Sequence, residues 1–396
     1  MRVLDPLLFL TGHRGAIERI AATRHAWIIG AILVLSAGVA RNYDHLDLLR
    51  EPEWFIGPFV ASMVSIFFIF GCIAEPLKLK DTGKRWPQLG SFLTFAWMTA
   101  PCAWLYGIPV ESMTDLVTAT KWNIAFLAIV SLWRVALMTR TVAVLTGVRH
   151  LRAFVLILAP AAFESMVGST WKGMSLVQIM GGVRLPPHTQ LLRDASEFIA
   201  TVSGWLFLAM IVLCWIVQGR ATLPLSRTHT SSPWGSSVLA AIALSAWIIA
   251  SAPVQPAVQN RHQLQGLIDD GRYAEAVSFA SSKKRSDFTN DHELPAGRRG
   301  RHALDLLKAT SPSTPSWLRD EWSSSALESL KAYPSFSKEM LADLDRDHPD
   351  IAIGLRTYAR ELRSQNHLDS EEQWWLDRYE DLTDTKPPKA PKPSRQ

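Results

Sequence analysis

Cysteine is scarce in this chain. The three cysteines, Cys72, Cys102 and Cys214, all fall inside apolar stretches, and no CxxC pair exists. That excludes a disulfide framework and a cysteine-built metal site, and the thiols read as small apolar side chains. Familiar catalytic signatures are missing as well. No HExxH, GxSxG, GxGxxG or phosphate-loop pattern occurs, which removes the reaction classes that those spacings serve. The 11 histidines have no paired spacing with cysteine, and His13, His25, His45, His150, His188 and His229 stand at or beyond the ends of apolar runs. No cofactor, no metal and no enzymatic activity are therefore expected.

Apolar residues are plentiful, and they are unevenly spread. Residues 1–254 are rich in Leu, Ile, Val, Ala, Phe and Trp and hold 20 Lys+Arg against 13 Asp+Glu. Residues 255–396 are polar and hold 21 against 23. The basic balance thus belongs to the apolar part, where its charges lie scattered between hydrophobic segments. That pattern suits lipid headgroups better than nucleic acid, whose recognition gathers charge in one patch. Membrane lipid is the expected partner, and no nucleic acid is expected.

A membrane-crossing helix needs about 20 apolar residues. Seven runs qualify: Ala26–Ala40, Ile56–Ala74, Gly90–Ile108, Trp122–Met138, Leu151–Gly168, Phe198–Val217 and Trp234–Ala252. None shows the alternation of a barrel strand, so each reads as a helix. Trp54, Trp86, Trp122, Trp171 and Trp234 sit at run ends, where an amphipathic indole meets the headgroups. The expected fold class is all-α: a transmembrane bundle at 26–252 with a helical soluble domain at 257–382.

Residues 1–25 carry Arg14, Arg19 and Arg24, with Ile17 and Ile20 on one helical face, and are expected to form an interfacial helix. The competing reading is a signal peptide cut near Ser36–Ala40. Beyond Pro253 and Pro256, helices are expected at His262–Asp270, Tyr273–Ser281, Arg301–Ala309, Ser316–Ala332, Phe336–Asp345, Pro349–Ser364 and Glu371–Leu382. Gly271 reads as a left-handed helix stop, Pro349 as a first helical residue, and Ser370 with Gln373 as a capping box. Ile351, Leu355, Tyr358 and Leu362 share one face. Residues 385–396, rich in Pro and Lys, are expected to be disordered.

Basic residues near span ends set orientation. Arg2, Arg14, Arg19, Arg24, Lys78, Lys80, Lys84, Arg85, Arg140, Arg149, Arg152, Arg220 and Arg227 fall in one alternate set of segments, 13 in all. Arg41, Arg50, Lys121, Lys172, Arg184 and Arg193 fall in the other, six in all. The bias predicts a cytoplasmic N-terminus. Seven crossings then carry the C-terminal domain to the extracytoplasmic side of what would be a bacterial inner membrane.

Three residues stand out. Glu164 is the one carboxylate well inside a span, and intramembrane ions are functional candidates by default. It follows Pro160, which frees a backbone carbonyl. The plainer reading has Glu164 near the outer helix end, reaching water. Arg134, in the fourth span, is expected to snorkel toward the headgroups beside Arg140. A buried pair with Glu164 is the sharper alternative, against which the two residues fall at opposite faces. Arg184 lies in QIMGGVRLPPH (178–188), whose paired Gly and Pro residues make an irregular connection able to approach an anion.

The segment Leu35–Glu53, LSAGVARNYDHLDLLREPE, together with the seven-span plan, resembles uncharacterised bacterial multi-pass membrane proteins. The resemblance covers the first span and its loop and implies no activity. Leu264–Ala280, LQGLIDDGRYAEAVSFA, is similar to the first half of a tetratricopeptide unit; no second copy follows, so a single helical hairpin is expected. The expected function is non-enzymatic, a membrane-anchored interaction or assembly protein that meets a protein partner through the C-terminal domain. A small-solute transporter or channel is the alternative, with Glu164 and the irregular connection lining its path.

Overall fold

The computed structural model describes residues 1–43, 46–51, 53–177, 187–228, 234–288, 294–296, 302–332 and 344–364. Among these residues the regular structure is helical. Two compact units form, the first from residues up to Gln259 and the second from Asn260 onward.

Five helices of the first unit are long and apolar enough to cross a membrane: Ile56–Ala74, Leu116–Thr146, His150–Trp171, Thr189–Ile216 and Trp234–Ser251. Their side chains decide what surrounds them. The span at Thr189–Ile216 has a mean hydropathy of 2.2, yet only 11% of its apolar window is buried by protein. Leaving that surface in water would cost about 25 cal/mol for each Å², so lipid is its solvent. Trp86, Trp122, Trp171 and Trp234 are all exposed, as residues at a membrane border should be.

In chain order the first unit contains α1 (Asp5–Leu10), α2 (Arg14–Ala21), α3 (Ala26–Asn42), α4 (Glu53–Ala74), α5 (Arg85–Met98), α6 (Val110–Met113), α7 (Leu116–Thr146), α8 (His150–Val177), α9 (Pro187–Ile216) and α10 (Trp234–Ser251). Two expected spans come out differently. The first is a 17-residue apolar helix, α3. The third, Gly90–Ile108, is broken: α5 ends at Met98, and Ala100–Gly107 continues as a 3₁₀ helix with Pro101 at its start. Proline lacks the N–H that an α-helix needs at this point. By contrast α8 runs unbroken through Pro160.

α3 packs against α5, the 3₁₀ segment and α10, while α8 packs against α9, α7 and α4. The α3–α5 approach is close at Gly30, where an added Cβ would lie 2.9 Å from Trp97 Cβ, a use of small residues typical of membrane helices. The main core gathers Phe9, Ile17, Ile20, Ile29, Phe70, Phe92, Phe95, Val142 and Leu145. The segment 1–25 is thus more than a surface helix, since Phe9, Ile17 and Ile20 are buried in the bundle. Asp5 is buried too, and Arg19 Nη2 donates to its Oδ1 at 2.6 Å. Burial pushes the Asp5 carboxyl up, but the bonds from Arg19 and from the Arg2 amide outweigh it and leave the group below the usual carboxylate range.

Backbone and side-chain hydrogen bonds tie separate connections together at one end of this unit. The Ala221 N–H donates to Leu77 O at 3.0 Å, Thr222 N–H to Thr146 O at 3.0 Å, and Leu225 N–H to Gln88 Oε1 at 3.2 Å. Arg227 Nη2 donates to Leu145 O at 2.8 Å, and Ser236 Oγ to Arg2 O at 2.7 Å. Gly147 ends α7 at φ +75, and an added Cβ there would sit 2.5 Å from Thr222 Oγ1. A second group ties Gln255 to the connection after α3: Leu48 N–H donates to Gln255 Oε1 at 2.9 Å, and Gln255 Nε2 donates to Tyr43 O at 3.1 Å.

α11 (Gln255–Asp269) begins in the first unit and continues into the second, where α12 (Tyr273–Ser281), α13 (Ala303–Lys308), α14 (Ser316–Ala332) and α15 (Pro349–Ser364) follow. These match the expected positions, with α11 beginning seven residues early. Gly271 has φ +72 and stops α11, the Arg272 N–H closing back on Leu267 O at 2.9 Å. Trp322, Phe288 and Leu318 centre a core of this unit, joined by Leu355 with Ile351 packed against it. The side chains of Tyr358 and Leu362 lie outside the described residues, as do the expected helix 371–382, most of 336–345, the Ser370–Gln373 cap and the tail 385–396.

Candidate functional site

Packing along α7 changes character part-way. Leu137, Met138, Val142 and Leu145 are buried, whereas Ser131, Leu132, Trp133 and Arg134 are exposed. Arg134 is thus an exposed residue half-way along α7. Its Nε donates to Thr99 Oγ1 at 3.0 Å. Thr99 stands where α5 gives way to the 3₁₀ segment, and its own hydroxyl donates to Ala96 O at 2.6 Å. The break at Pro101 is therefore what presents a hydroxyl to the arginine.

Glu164 lies on α8, half-buried, and its Oε2 accepts from Ser65 Oγ of α4 at 2.6 Å. Arg134 and Glu164 thus carry opposite charges on α7 and α8, two helices that pack against each other. The Arg41 guanidinium lies 5.7 Å from the ring centroid of Tyr106, a cation–π contact. Two polar contacts thus link elements of the bundle: Ser65 of α4 with Glu164 of α8, and Thr99 at the α5 break with Arg134 of α7.

This arrangement corrects two expectations. Arg134 does not snorkel toward Arg140. It stands twelve residues before the end of α7, about 18 Å along the axis, and its hydrogen bond points inward to Thr99. Arg140 is engaged elsewhere, with Gly12 O and His150. Nor do Arg134 and Glu164 fall at opposite faces, because Arg134 lies twelve residues before the end of α7 and Glu164 fourteen after the start of α8, with one short turn between the helices. Arg184 lies outside the described residues.

Thr99, Ser65 and Tyr106 escaped the sequence reading, since a hydroxyl in an apolar run carries no signal of its own. Pro101 was the available hint, as it fixes where a span must break.

A second feature belongs to the C-terminal unit. α11 and α12 enclose an open groove of about 560 Å³, lined in part by Gln263, Leu267, Asp270, Arg272, Glu275 and Phe279. Arg272 Nε donates to Glu275 Oε1 at 2.9 Å, and that bond holds the Glu275 carboxyl below the usual range. The groove is mixed in character, lined by Leu267 and Phe279 together with charged Asp270, Arg272 and Glu275. Among the described residues no group of three His, Cys, Asp or Glu side chains is placed to hold a metal ion.

Comparison with known proteins finds no matching family model, no matching curated protein and no matching solved structure. Five membrane-length apolar helices mark the chain as an integral membrane protein.

Proposed function

We propose that this protein is a non-enzymatic, membrane-anchored interaction protein whose C-terminal helical unit recognises a protein partner. The observation that carries this reading is the second core around Trp322, Phe288 and Leu318, built from residues of the C-terminal unit alone. A rigid scaffold with an exposed, mixed groove is what peptide recognition by a helical hairpin requires. Photo-crosslinking in native membranes tests it. A crosslinking residue at Ser278 in the groove should give one discrete protein adduct, and the same residue at lipid-facing Ile211 should give none. Equal labelling at both sites, or none at Ser278, would overturn the reading.

Seven crossings fit the connections better than five. The bonds from Ala221 to Leu77, from Thr222 to Thr146, from Leu225 to Gln88 and from Ser236 to Arg2 join alternate connections at one end. The bonds of Gln255 to Tyr43 and Leu48 join the others. That alternation follows if α3 and the broken α5 segment both cross. The first end carries the 13 basic residues, which supports a cytoplasmic N-terminus and an extracytoplasmic C-terminal unit in a bacterial inner membrane.

The second reading is a small-solute transporter or channel, and two charged residues within the spans, exposed Arg134 and half-buried Glu164, favour it. Uptake of radiolabelled solute into proteoliposomes would distinguish the two.

A further inference from the structure

On α11, Gln263, Leu267 and Asp270 recur at helical spacing along the groove, and on α12 Arg272, Glu275 and Phe279 do the same. Each helix thus gives one face over a seven-residue interval, about 10 Å of length. Gly266 leaves part of that wall bare, since an added Cβ there meets nothing within 4 Å. Arg272 is taken by Glu275, its Nε donating to Oε1 at 2.9 Å. The Asp270 carboxylate has no hydrogen bond or ion pair among the described residues. The groove therefore presents two apolar side chains, Leu267 and Phe279, with one unpaired carboxylate. At about 560 Å³ it has room for a short segment of chain and not for a folded partner.

The end of the chain has matching chemistry. Residues 386–395 read KPPKAPKPSR, with Lys386, Lys389, Lys392 and Arg395 and no acidic residue. Prolines at this density favour polyproline II, which rises about 3.1 Å per residue and repeats every three. Pro388 and Pro391 then share one face and cover about 10 Å, the length of the groove. Such segments dock their proline rings on aromatic and apolar surfaces and lose little entropy in doing so. Reach is sufficient. Between Ser364, the end of α15, and Lys386 lie 21 residues. With the expected helix at 371–382 that stretch spans up to about 45 Å, and a unit of about 120 residues is about 35 Å across. A tether of this length holds the segment at an effective concentration on the order of millimolar.

We propose that Lys386–Arg395 docks in the groove between α11 and α12 of its own chain, with Pro388 and Pro391 on Leu267 and Phe279 and Lys389 on Asp270. The segment thereby competes with the protein partner for one groove. The competition rests on the partner reading, and the docking does not.

Disulfide trapping in the full chain in detergent tests the docking. Cys72, Cys102 and Cys214 are replaced by Ser, and Ala390→Cys is combined with Ser278→Cys in the groove. Under mild oxidation this pair should close within one chain at least about tenfold faster than Ala390→Cys with Ile353→Cys, an exposed position nearer along the chain. Asp270→Lys and Lys389→Glu should each slow closure severalfold, and the two together should restore it, a result that a damaged fold cannot give. Gly266→Leu, which fills the groove without a clash, should remove the advantage of Ser278. Equal rates at Ser278 and Ile353, or disulfides that join two chains, would overturn the proposal.

Photo-crosslinking at Ser278 in native membranes separates the docking from the partner reading. A chain ending at Asp384 should give roughly tenfold more partner adduct than the full chain, as a segment that fills the groove nine-tenths of the time requires. An unchanged adduct together with equal closure rates removes the docked segment and leaves the partner reading. Fast closure with no adduct in either chain removes the partner reading and leaves the docked segment. Fast closure with an adduct unchanged by truncation overturns the competition.

Discussion

Arg134 and Glu164 stand on antiparallel neighbours at nearly equal distance from one turn. Arg134 is twelve residues before Thr146, and Glu164 is fourteen after His150. At 1.5 Å per residue these are about 18 Å and about 21 Å from the α7–α8 connection. A three-residue connection capped by Gly147 keeps the two helices in register, so the charges meet in depth whatever the orientation of the protein.

The N-terminal helices should come free when the Asp5–Arg19 pair is broken. Asp5→Asn is expected to cost about 1.5–3 kcal/mol, the range for hydrogen bonds to charged groups, and to raise hydrogen exchange over residues 5–21. The pH dependence has a definite sign. The folded carboxyl lies below its ordinary value of 3.8, so its stabilisation is complete above that value and is lost as pH falls through the lower, folded one. Exchange protection that is flat from pH 7 down to pH 2 would contradict this.

Gly147→Val should impair the bundle. A β-branched residue at φ +75 is strained by about 1–2 kcal/mol, and its Cβ would meet Thr222 Oγ1 at 2.5 Å. Lower Tm in detergent and loss of the Thr222–Thr146 contact are expected. Gly90→Val, where an added Cβ meets nothing within 4 Å, serves as the control. Equal stability of the two variants would show that the turn tolerates a side chain.

The segment 257–382 should fold by itself. A purified fragment is expected to give a helical circular dichroism spectrum with cooperative melting. Trp322→Ala should cost about 3–5 kcal/mol, the usual loss for a fully buried tryptophan. A random-coil spectrum would mean that this core depends on the rest of the chain.

Much of this fold was legible in the sequence because hydrophobic length is a strong signal. The second span and the seventh come within a residue of the helices observed. Gly271 and Pro349 marked helix boundaries through local backbone chemistry. The break in the third span was harder to see, since Pro101 lies amid apolar residues that satisfy any hydropathy window. The site was only half legible. Glu164 and Arg134 stand out by charge, but their common depth requires counting from a shared turn instead of from the two faces. Ser65 and Thr99 became visible only as hydrogen-bond partners.

Fusion reporters at Gln396 should find alkaline phosphatase active and a cytoplasmic fluorescent protein dark. Insertion of the same reporters after Lys84 should give the reverse. Fluorescence at both positions would mean an even number of crossings between them, and the C-terminal unit would then face the cytoplasm.

The bonds that close one end of the membrane unit also impose an order on biosynthesis. Leu225 reaches back 137 residues to Gln88, and Ser236 reaches back 234 residues to Arg2. At about 5–20 residues per second, the ribosome delivers Leu225 on the order of ten seconds after Gln88. Through most of that interval α1 to α5 are already made while Leu77 O and the Gln88 side-chain Oε1 still lack the amides that later bind them. Nascent chains halted before residue 221 should therefore leave this end open to added protease, and chains halted well after residue 236 should be protected. The bundle matures when its late connection arrives, so its early helices spend their first seconds as an open assembly that a chaperone or a quality-control protease can still inspect.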